Sequence, residues 1–382
     1  MNQTSINEST RAGRAPYRSR QAQPSLTFAL AMLSCVVFAA APKPPAVTEN
    51  YDWRDGATLQ LEGRGFPNAD KPYNRLPEKW KDVVPKSVWN LSQTSIDINA
   101  RFVTDSDEVV VRWEVPTGYR PHPQITLNGT QGVDVYKRAT NGTWEHTLAG
   151  APNVETGIGE LRVPWTPGDE CLVYLPMRVL PRSFSIGVKK GKSFNPARPH
   201  RLAKPVVHYG TSIVHGGRAD RAGLTFTSIM ARELDIDLIN LGFPGNGRME
   251  LALADVLAEI DAALYIVDCE WNMTPKMVEE RYEPFVRKLK ELRPDTPILL
   301  CGGCTEKAVP RPQEVISRKI FDKLKAEDPA KWANLHFLSG VDQLPNNSDC
   351  TTDHCHPNVY GFMYMAPVYA KAVRKILGIT VE

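Results

Sequence analysis

Beyond Pro205 the chain carries five short, nearly uninterrupted apolar runs: "PVVHYG", "DLINLG", "AALYIVDC", "TPILLCGG" and "LHFLSG". Segments of helical periodicity separate and follow them, among them "TFTSIMARELD", "LALADVLAEI", "MVEERYEPFVRKLKELR", "PQEVISRKIFDKLKAED" and "GFMYMAPVYAKAVRKILG". A strand that is apolar on both faces needs cover on both faces, as in a parallel sheet between two layers of helices. Residues 206–380 are therefore expected to form a three-layer α/β/α domain. In such sheets ligands bind beyond the carboxyl ends of the strands, so chemistry is sought in the polar and glycine-rich stretches that follow each run.

The preceding part has a different rhythm. "SIDINARFVTDSDEVVVRWEVP" alternates apolar and polar residues around an Asp-Ser-Asp turn, and "QITLNGTQGVDVYKRATNGTWEHTLAG" repeats the alternation around Asn128-Gly129 and Asn141-Gly142. Period-two alternation punctuated by Asn-Gly predicts antiparallel hairpins, and several of them predict a β-sandwich over 51–194. The Pro-rich "NPARPHRLAKP" at 195–205 reads as a linker.

Four features fall at the strand ends of the second half. Ser212 follows the first run in "HYGTSIVHGG", where a hydroxyl at a strand-to-helix turn can point out of the sheet. It is not a G-x-S-x-G elbow, because Val214 takes the place of the second glycine. "NLGFPGNG" follows the second run and can bring backbone N–H groups, including that of Gly245, close to a ligand. Asn272 in "DCEWNM" follows the third and offers an amide donor. Asp353 and His356, three apart, precede the last helix, so the carboxylate can hold one imidazole nitrogen while the other takes a proton from a serine. Each feature alone has an ordinary structural reading: a helix cap, a turn, a surface loop. Their order along one predicted sheet edge carries the argument.

In that order the sequence resembles the SGNH, or GDSL-type, hydrolases over about Lys204 to Leu377. The resemblance implies a flavodoxin-like sheet and a catalytic triad of Ser212, Asp353 and His356. It also implies an oxyanion hole of the Ser212 and Gly245 backbone N–H groups and the Asn272 amide. Gly-Thr-Ser stands where the family name has Gly-Asp-Ser, and Glu-Trp-Asn replaces the common Gly-x-Asn, so Trp271 reshapes the acyl pocket. His215 and His354 are further candidates for the pocket wall. "GVDVY", Gly132 to Tyr136, resembles the GxDLY motif of a jelly-roll-like β-sandwich found ahead of certain SGNH domains. The combination implies an esterase acting on small acyl groups, acetyl foremost, on a carbohydrate, with no metal or organic cofactor. Lipid or thioester hydrolysis, acyl transfer, and an inactive glycan-binding protein are the alternatives.

Composition bounds the partners. Arg11, Arg14, Arg18 and Arg20 precede the apolar run "LTFALAMLSCVVFAAA", the pattern of a secretory signal over 1–41 and shorter than the roughly 20 residues of a membrane span. Without that segment, 42 basic residues face 42 acidic ones, which leaves no electrostatic case for nucleic acid. The expected product is an exported, periplasmic or extracellular protein with no stable membrane partner. Six cysteines lie beyond residue 41, five of them after residue 268. In an oxidising compartment they allow a disulfide involving Cys350 or Cys355. "CTTDHCHPN" also has zinc-ligand residue types, but its spacing fits no familiar zinc pattern.

Overall fold

The computed structural model describes residues 50–380 apart from 67–70 and 120–121. The expected signal segment, residues 1–41 with Cys35, lies outside the described residues. The described residues form one compact unit. Among the described residues no helix is long and apolar enough to cross a membrane.

The first half is built from β1 (Tyr51–Asp55), β2 (Leu61–Glu62), β3 (Asn99–Val103), β4 (Glu108–Glu114), β5 (Val133–Arg138), β6 (Trp144–Gly150), β7 (Ile158–Pro164), β8 (Glu170–Tyr174), β9 (Ser183–Lys189) and β10 (Asn195–Pro196). They form two antiparallel sheets, ordered β1-β9-β4-β7 and β10-β3-β8-β5-β6, with β2 on β3. The inner faces enclose a core that includes Ile98, Phe102, Val111, Trp113, Val135 and Ile186. Two expected hairpins differ. The Asp105-Ser106-Asp107 turn joins strands of different sheets, since β3 pairs with β8 and β4 with β7 and β9. Thr104 and Asp107 carbonyls accept from Gly168 and Trp165 instead, so the turn passes the chain across the sandwich. Asn128-Gly129 opens a one-turn helix, α2 (Asn128–Gln131), that follows the short α1 (Lys86–Ser92) in chain order. Asn141-Gly142 does make the β5–β6 turn, with Gly142 at φ 87°.

The second half is a five-stranded parallel sheet, β11 (Val206–Gly210), β12 (Leu238–Gly242), β13 (Leu264–Asp268), β14 (Ile298–Cys301) and β15 (Leu335–Leu338), in the order β12-β11-β13-β14-β15. The first three are buried at every residue, as their uninterrupted apolar character requires. Helices α3 (Phe226–Leu234), α4 (Leu251–Ala258), α5 (Pro275–Leu292), α6 (Pro312–Glu327) and α7 (Val359–Leu377) alternate with them. Because side chains alternate along a strand, Val207 and Tyr209 join one core while Val206 joins the other.

Both cores recruit the first half. Leu76, Trp80, Val84, Val88 and Trp89 pack into the core of Val207 and Tyr209. Tyr136, Leu172 and Tyr174, on the outer face of the second sheet, pack into that of α3 and α7. Each fully buried side chain of this kind contributes about 1.5–3 kcal/mol, so the two halves share their stability. The segment 195–205 is bonded to its surroundings: β10 pairs with β3, Arg198 reaches Asp235 at 2.5 Å, and His200 reaches Glu62 at 2.9 Å.

Candidate active site

Strand β11 ends at Gly210, where a Cβ would meet the Asp268 carbonyl oxygen at 2.3 Å. The chain then winds into a helical turn, with His215 N–H on the Thr211 carbonyl at 3.1 Å and Gly217 N–H on that of Ser212 at 2.8 Å. That turn lifts Ser212 out of the sheet. Its Oγ lies 2.8 Å from His356 Nε2.

His356 belongs to the loop between the 3-10 turn Ser348–Cys350 and α7. A bridge between Thr351 and Pro357 and the Thr352 N–H bond to the His356 carbonyl close this loop. His354 adopts φ 57°, and its N–H donates to Thr351 Oγ1. Asn358 caps α7 through Gly361 N–H and holds the Asp349 carbonyl with its amide. Within this frame His356 Nδ1 lies 2.9 Å from Asp353 Oδ2, and Asp353 Oδ1 accepts the backbone N–H groups of His356 at 2.7 Å and Cys355 at 3.2 Å. Burial pushes the Asp353 carboxyl upward, but the backbone and side-chain bonds from His356 outweigh it and hold the group down at about 2. Burial lowers the His356 pKa and the Asp353 carboxylate raises it; Arg218 and Arg178 lower it further, and the net shift is downward. The result is an ionised carboxylate, a neutral imidazole and a hydroxyl in one hydrogen-bonded line, an arrangement that can draw a proton from the hydroxyl.

The glycine loop closes over the end of β11. Phe243 N–H donates to the Gly210 carbonyl at 2.9 Å, and a Cβ on Gly247 (φ 68°) would lie 2.1 Å from that same oxygen. Gly245 has φ 67° and open space where a Cβ would stand. Asn272 ends the 3-10 turn after β13, and its Nδ2 donates to the Asn246 carbonyl at 2.5 Å. This bond uses one of the two amide hydrogens and ties Asn272 to the glycine loop. All four sequence blocks thus meet around the carboxyl end of β11.

Residues of the first half hold this constellation, and the sequence offered no sign of them. Arg75 is buried and donates to the carbonyls of Asn240 and Gly242 at 3.1 and 2.7 Å, and to Leu91 and Thr94. Asp97, buried at φ 58°, accepts from Thr227, Ser228 and Asn240 at 2.6, 2.6 and 2.8 Å. Asn240 in turn donates to the Val214 carbonyl and accepts from Gly242 N–H. Arg178 donates to the Gly217 carbonyl at 2.6 Å. The GVDVY stretch is occupied in the same way. Asp134 takes Arg221 on both oxygens, at 3.0 and 2.8 Å, and Gly223 N–H at 2.8 Å, while Arg221 also donates to the Tyr136 hydroxyl at 2.6 Å. The motif docks the sandwich on the loop that leaves Ser212. Arg218, on the same turn six positions after Ser212, reaches Asp353 Oδ2 at 3.3 Å and Gln124 at 3.0 Å.

An open cleft of about 950 Å³ is lined by Trp271, Glu306, Lys307, Arg311, Asn347 and His354, among others. Trp271 is fixed by its Nε1 bond to the Cys304 carbonyl and by the Arg311 guanidinium 3.5 Å above its ring. His354 reaches Glu306 at 3.3 Å. Trp271 and His354, next in sequence to Asn272 and Asp353, therefore stand on an open wall. His215 does not: it is buried against Thr94, at 3.4 Å, and burial with Arg178 and Arg75 nearby keeps it neutral. His208 is likewise buried, edge-on to Phe226 and tilted against Tyr369, with its pKa pushed down to about 3 by burial. A more enclosed cavity at the junction of the halves, beside Asp97 and Asp235, measures about 30 Å³ and has room for little more than a water. All six cysteines of the described residues are free, five of them buried and Cys355 partly exposed. Asp353, Cys355 and His356 are the group of possible metal-ligand side chains that converge among the described residues.

Residues 203–374 match the GDSL-like lipase/acylhydrolase family, and residues 51–194 match the GxDLY N-terminal region of SGNH-hydrolase-type esterases. A solved structure assigned to a GDSL-like lipase from Bacteroides ovatus ATCC 8483 is similar at 28% identity, covering 87% of this chain and 100% of that one, with a TM-score of 0.77. A salicylyl-acyltransferase from a tetracycline biosynthetic pathway is similar at 20% identity over 89% of this chain and 98% of its own, TM-score 0.66. An acetyl xylan esterase from the rumen bacterium Butyrivibrio proteoclasticus shares the fold at 12% identity over 74% and 91%, TM-score 0.51. A search of the curated proteins finds no match.

Proposed function

The chain belongs to the GDSL-type, or SGNH, hydrolases, and from that premise we propose that it is an exported serine esterase removing small acyl groups, acetyl foremost, from a carbohydrate. The observation that carries the reading is the line from Ser212 through His356 to Asp353, with hydrogen bonds of 2.8 and 2.9 Å. Ser212 Oγ attacks the ester carbonyl while His356 Nε2 takes its proton. Asp353 keeps the other imidazole proton on Nδ1 and stabilises the imidazolium. Charge on the carbonyl oxygen is met by the Ser212 and Gly245 N–H groups and by the remaining Asn272 amide hydrogen. His356 then protonates the departing alcohol, and water, activated by the same imidazole, releases the acid and restores Ser212. The steps use side chains, two backbone N–H groups and water.

The alcohol portion, rather than the acyl group expected of Trp271 from the sequence, is assigned to the cleft of Trp271, Arg311 and His354, whose mixed aromatic and polar wall suits a hydroxylated ring. The fold shared with an acetyl xylan esterase supports a small acyl group on a glycan. The basic and apolar pattern of residues 1–41 supports export. Hydrolysis of p-nitrophenyl esters from acetyl to octanoyl, run beside acetylated oligosaccharides, tests the reading. Turnover falling steeply beyond short chains, with acetate released from the oligosaccharides, is expected; a maximum at octanoyl contradicts it. The same acyl-enzyme would serve an acyltransferase, the activity named for one neighbour, and free acid released without an acceptor alcohol decides for hydrolysis.

A further inference from the structure

The Cys355 side chain has no part in the proposed reaction, yet its Sγ, a carboxylate oxygen of Asp353 and a ring nitrogen of His356 all lie within 4.8 Å of one another. We propose that these three side chains form an inhibitory site for a thiophilic divalent ion, Zn²⁺ being the best fit. The inhibition, though not the binding, rests on the esterase reading above.

The donor set is one sulfur, one nitrogen and one oxygen, the set zinc takes at about 2.3, 2.0 and 2.0–2.2 Å in a tetrahedron. Ligand atoms on such a tetrahedron stand roughly 3–4 Å apart, so the observed separations need only a small contraction. His356 Nδ1 and Asp353 Oδ2 are already 2.9 Å apart. The three residues fall within four positions of one loop, which the Thr351–Pro357 bridge and the Thr352 bond to the His356 carbonyl hold in shape. Asp353 is exposed, and Cys355 and His356 are partly so, which leaves an entry path and a fourth position for water. The neighbours in the same stretch are committed elsewhere: Cys350 is buried with Sγ toward the Pro345 carbonyl, and His354 pairs with Glu306.

The consequence follows from proton positions. In the working state the Nδ1 proton of His356 faces Asp353, and Nε2 presents a lone pair to Ser212. An ion bound at Nδ1 takes the place of that proton, and a neutral imidazole then carries its single proton on Nε2. The Cys355 thiol gives its proton to solvent and binds as thiolate. His356 Nε2, 2.8 Å from Ser212 Oγ, becomes a donor and cannot accept the serine proton. Asp353, now a ligand, no longer holds the tautomer that catalysis needs. Zinc thus switches off the base while leaving the oxyanion donors and the cleft untouched. Magnesium and calcium, which prefer oxygen ligands, have no such site here.

The test has two arms. In the first, p-nitrophenyl acetate hydrolysis by the full chain is followed against Zn²⁺, Mg²⁺ and EDTA, for the unaltered protein and for Cys355→Ser. Zinc inhibition reversed by EDTA, no effect of magnesium, and a Cys355→Ser variant whose half-inhibiting zinc concentration, each protein being scaled to its own zinc-free rate, is raised about tenfold or more are expected. Equal zinc sensitivity of the two proteins overturns the proposal. In the second arm Ser212→Ala is titrated with Zn²⁺ by calorimetry, where turnover plays no role. One ion bound per chain, lost in Ser212→Ala/Cys355→Ser, supports the site; no binding, or binding unaffected by Cys355→Ser, overturns it. Failure of the esterase reading would silence the first arm and leave the second to decide.

Discussion

Ser212 and His356 stand 144 positions apart, and their 2.8 Å contact depends on two short segments, each fixed by its own backbone bonds. The serine turn and the histidine loop were legible because the residue types that move a proton are few and their spacing is tight. Asp97, Arg75 and Arg178 were not, because their partners are hydroxyls, an amide and backbone carbonyls of remote loops, and no local pattern announces such a bond. In the proposed mechanism the Asn272 amide shares its hydrogens between the Asn246 carbonyl and the developing oxyanion, so Asn272→Ala is expected to lower kcat by roughly 10²–10³-fold with the fold intact. In the proposed mechanism His356 acts as base only when neutral, and its pKa lies below the ordinary histidine value, so kcat/KM is expected to rise with pH through a limb below about 6.5. Arg218, on Asp353 at 3.3 Å, is one cause of that lowering. Arg218→Gln removes the positive charge, raises the His356 pKa and moves the limb to higher pH; an unmoved limb contradicts this assignment.

At the scale of elements, the five parallel strands were readable because a run apolar on both faces has few other homes. The sandwich topology was not, since alternation gives a strand its faces but not its partners. The Asp105-Ser106-Asp107 turn looks like a hairpin turn and crosses between sheets. Strand β5 gains its meaning from the structure. Asp134 is buried, with Arg221 on both oxygens, Gly223 N–H and His146 at 3.0 Å, so the motif is spent on docking and leaves no free carboxylate for a ligand. Removing one partner of a buried pair typically costs about 3–5 kcal/mol. Asp134→Ala is accordingly expected to lower the urea midpoint by that equivalent at constant m-value, and a loss below about 1 kcal/mol would contradict the docking role.

Over the whole molecule, the sandwich and the α/β layer share two cores and a chain of polar contacts, with Arg75, Asp97 and Asp134 all reaching across. A fragment of residues 195–382 loses these three side chains along with the apolar cover from Leu76 to Trp89, and is expected to lack a cooperative thermal transition and ester turnover. A folded, active fragment would show the first half to be dispensable. In the proposed mechanism one serine just beyond β11 carries the chemistry of the entire chain. The most direct measurement is p-nitrophenyl acetate hydrolysis by the unaltered protein and by Ser212→Ala, with circular dichroism on both. Matching spectra and a rate reduced by roughly 10⁴–10⁶-fold in the variant are expected; a correctly folded Ser212→Ala protein that still turns over the ester would overturn the serine mechanism.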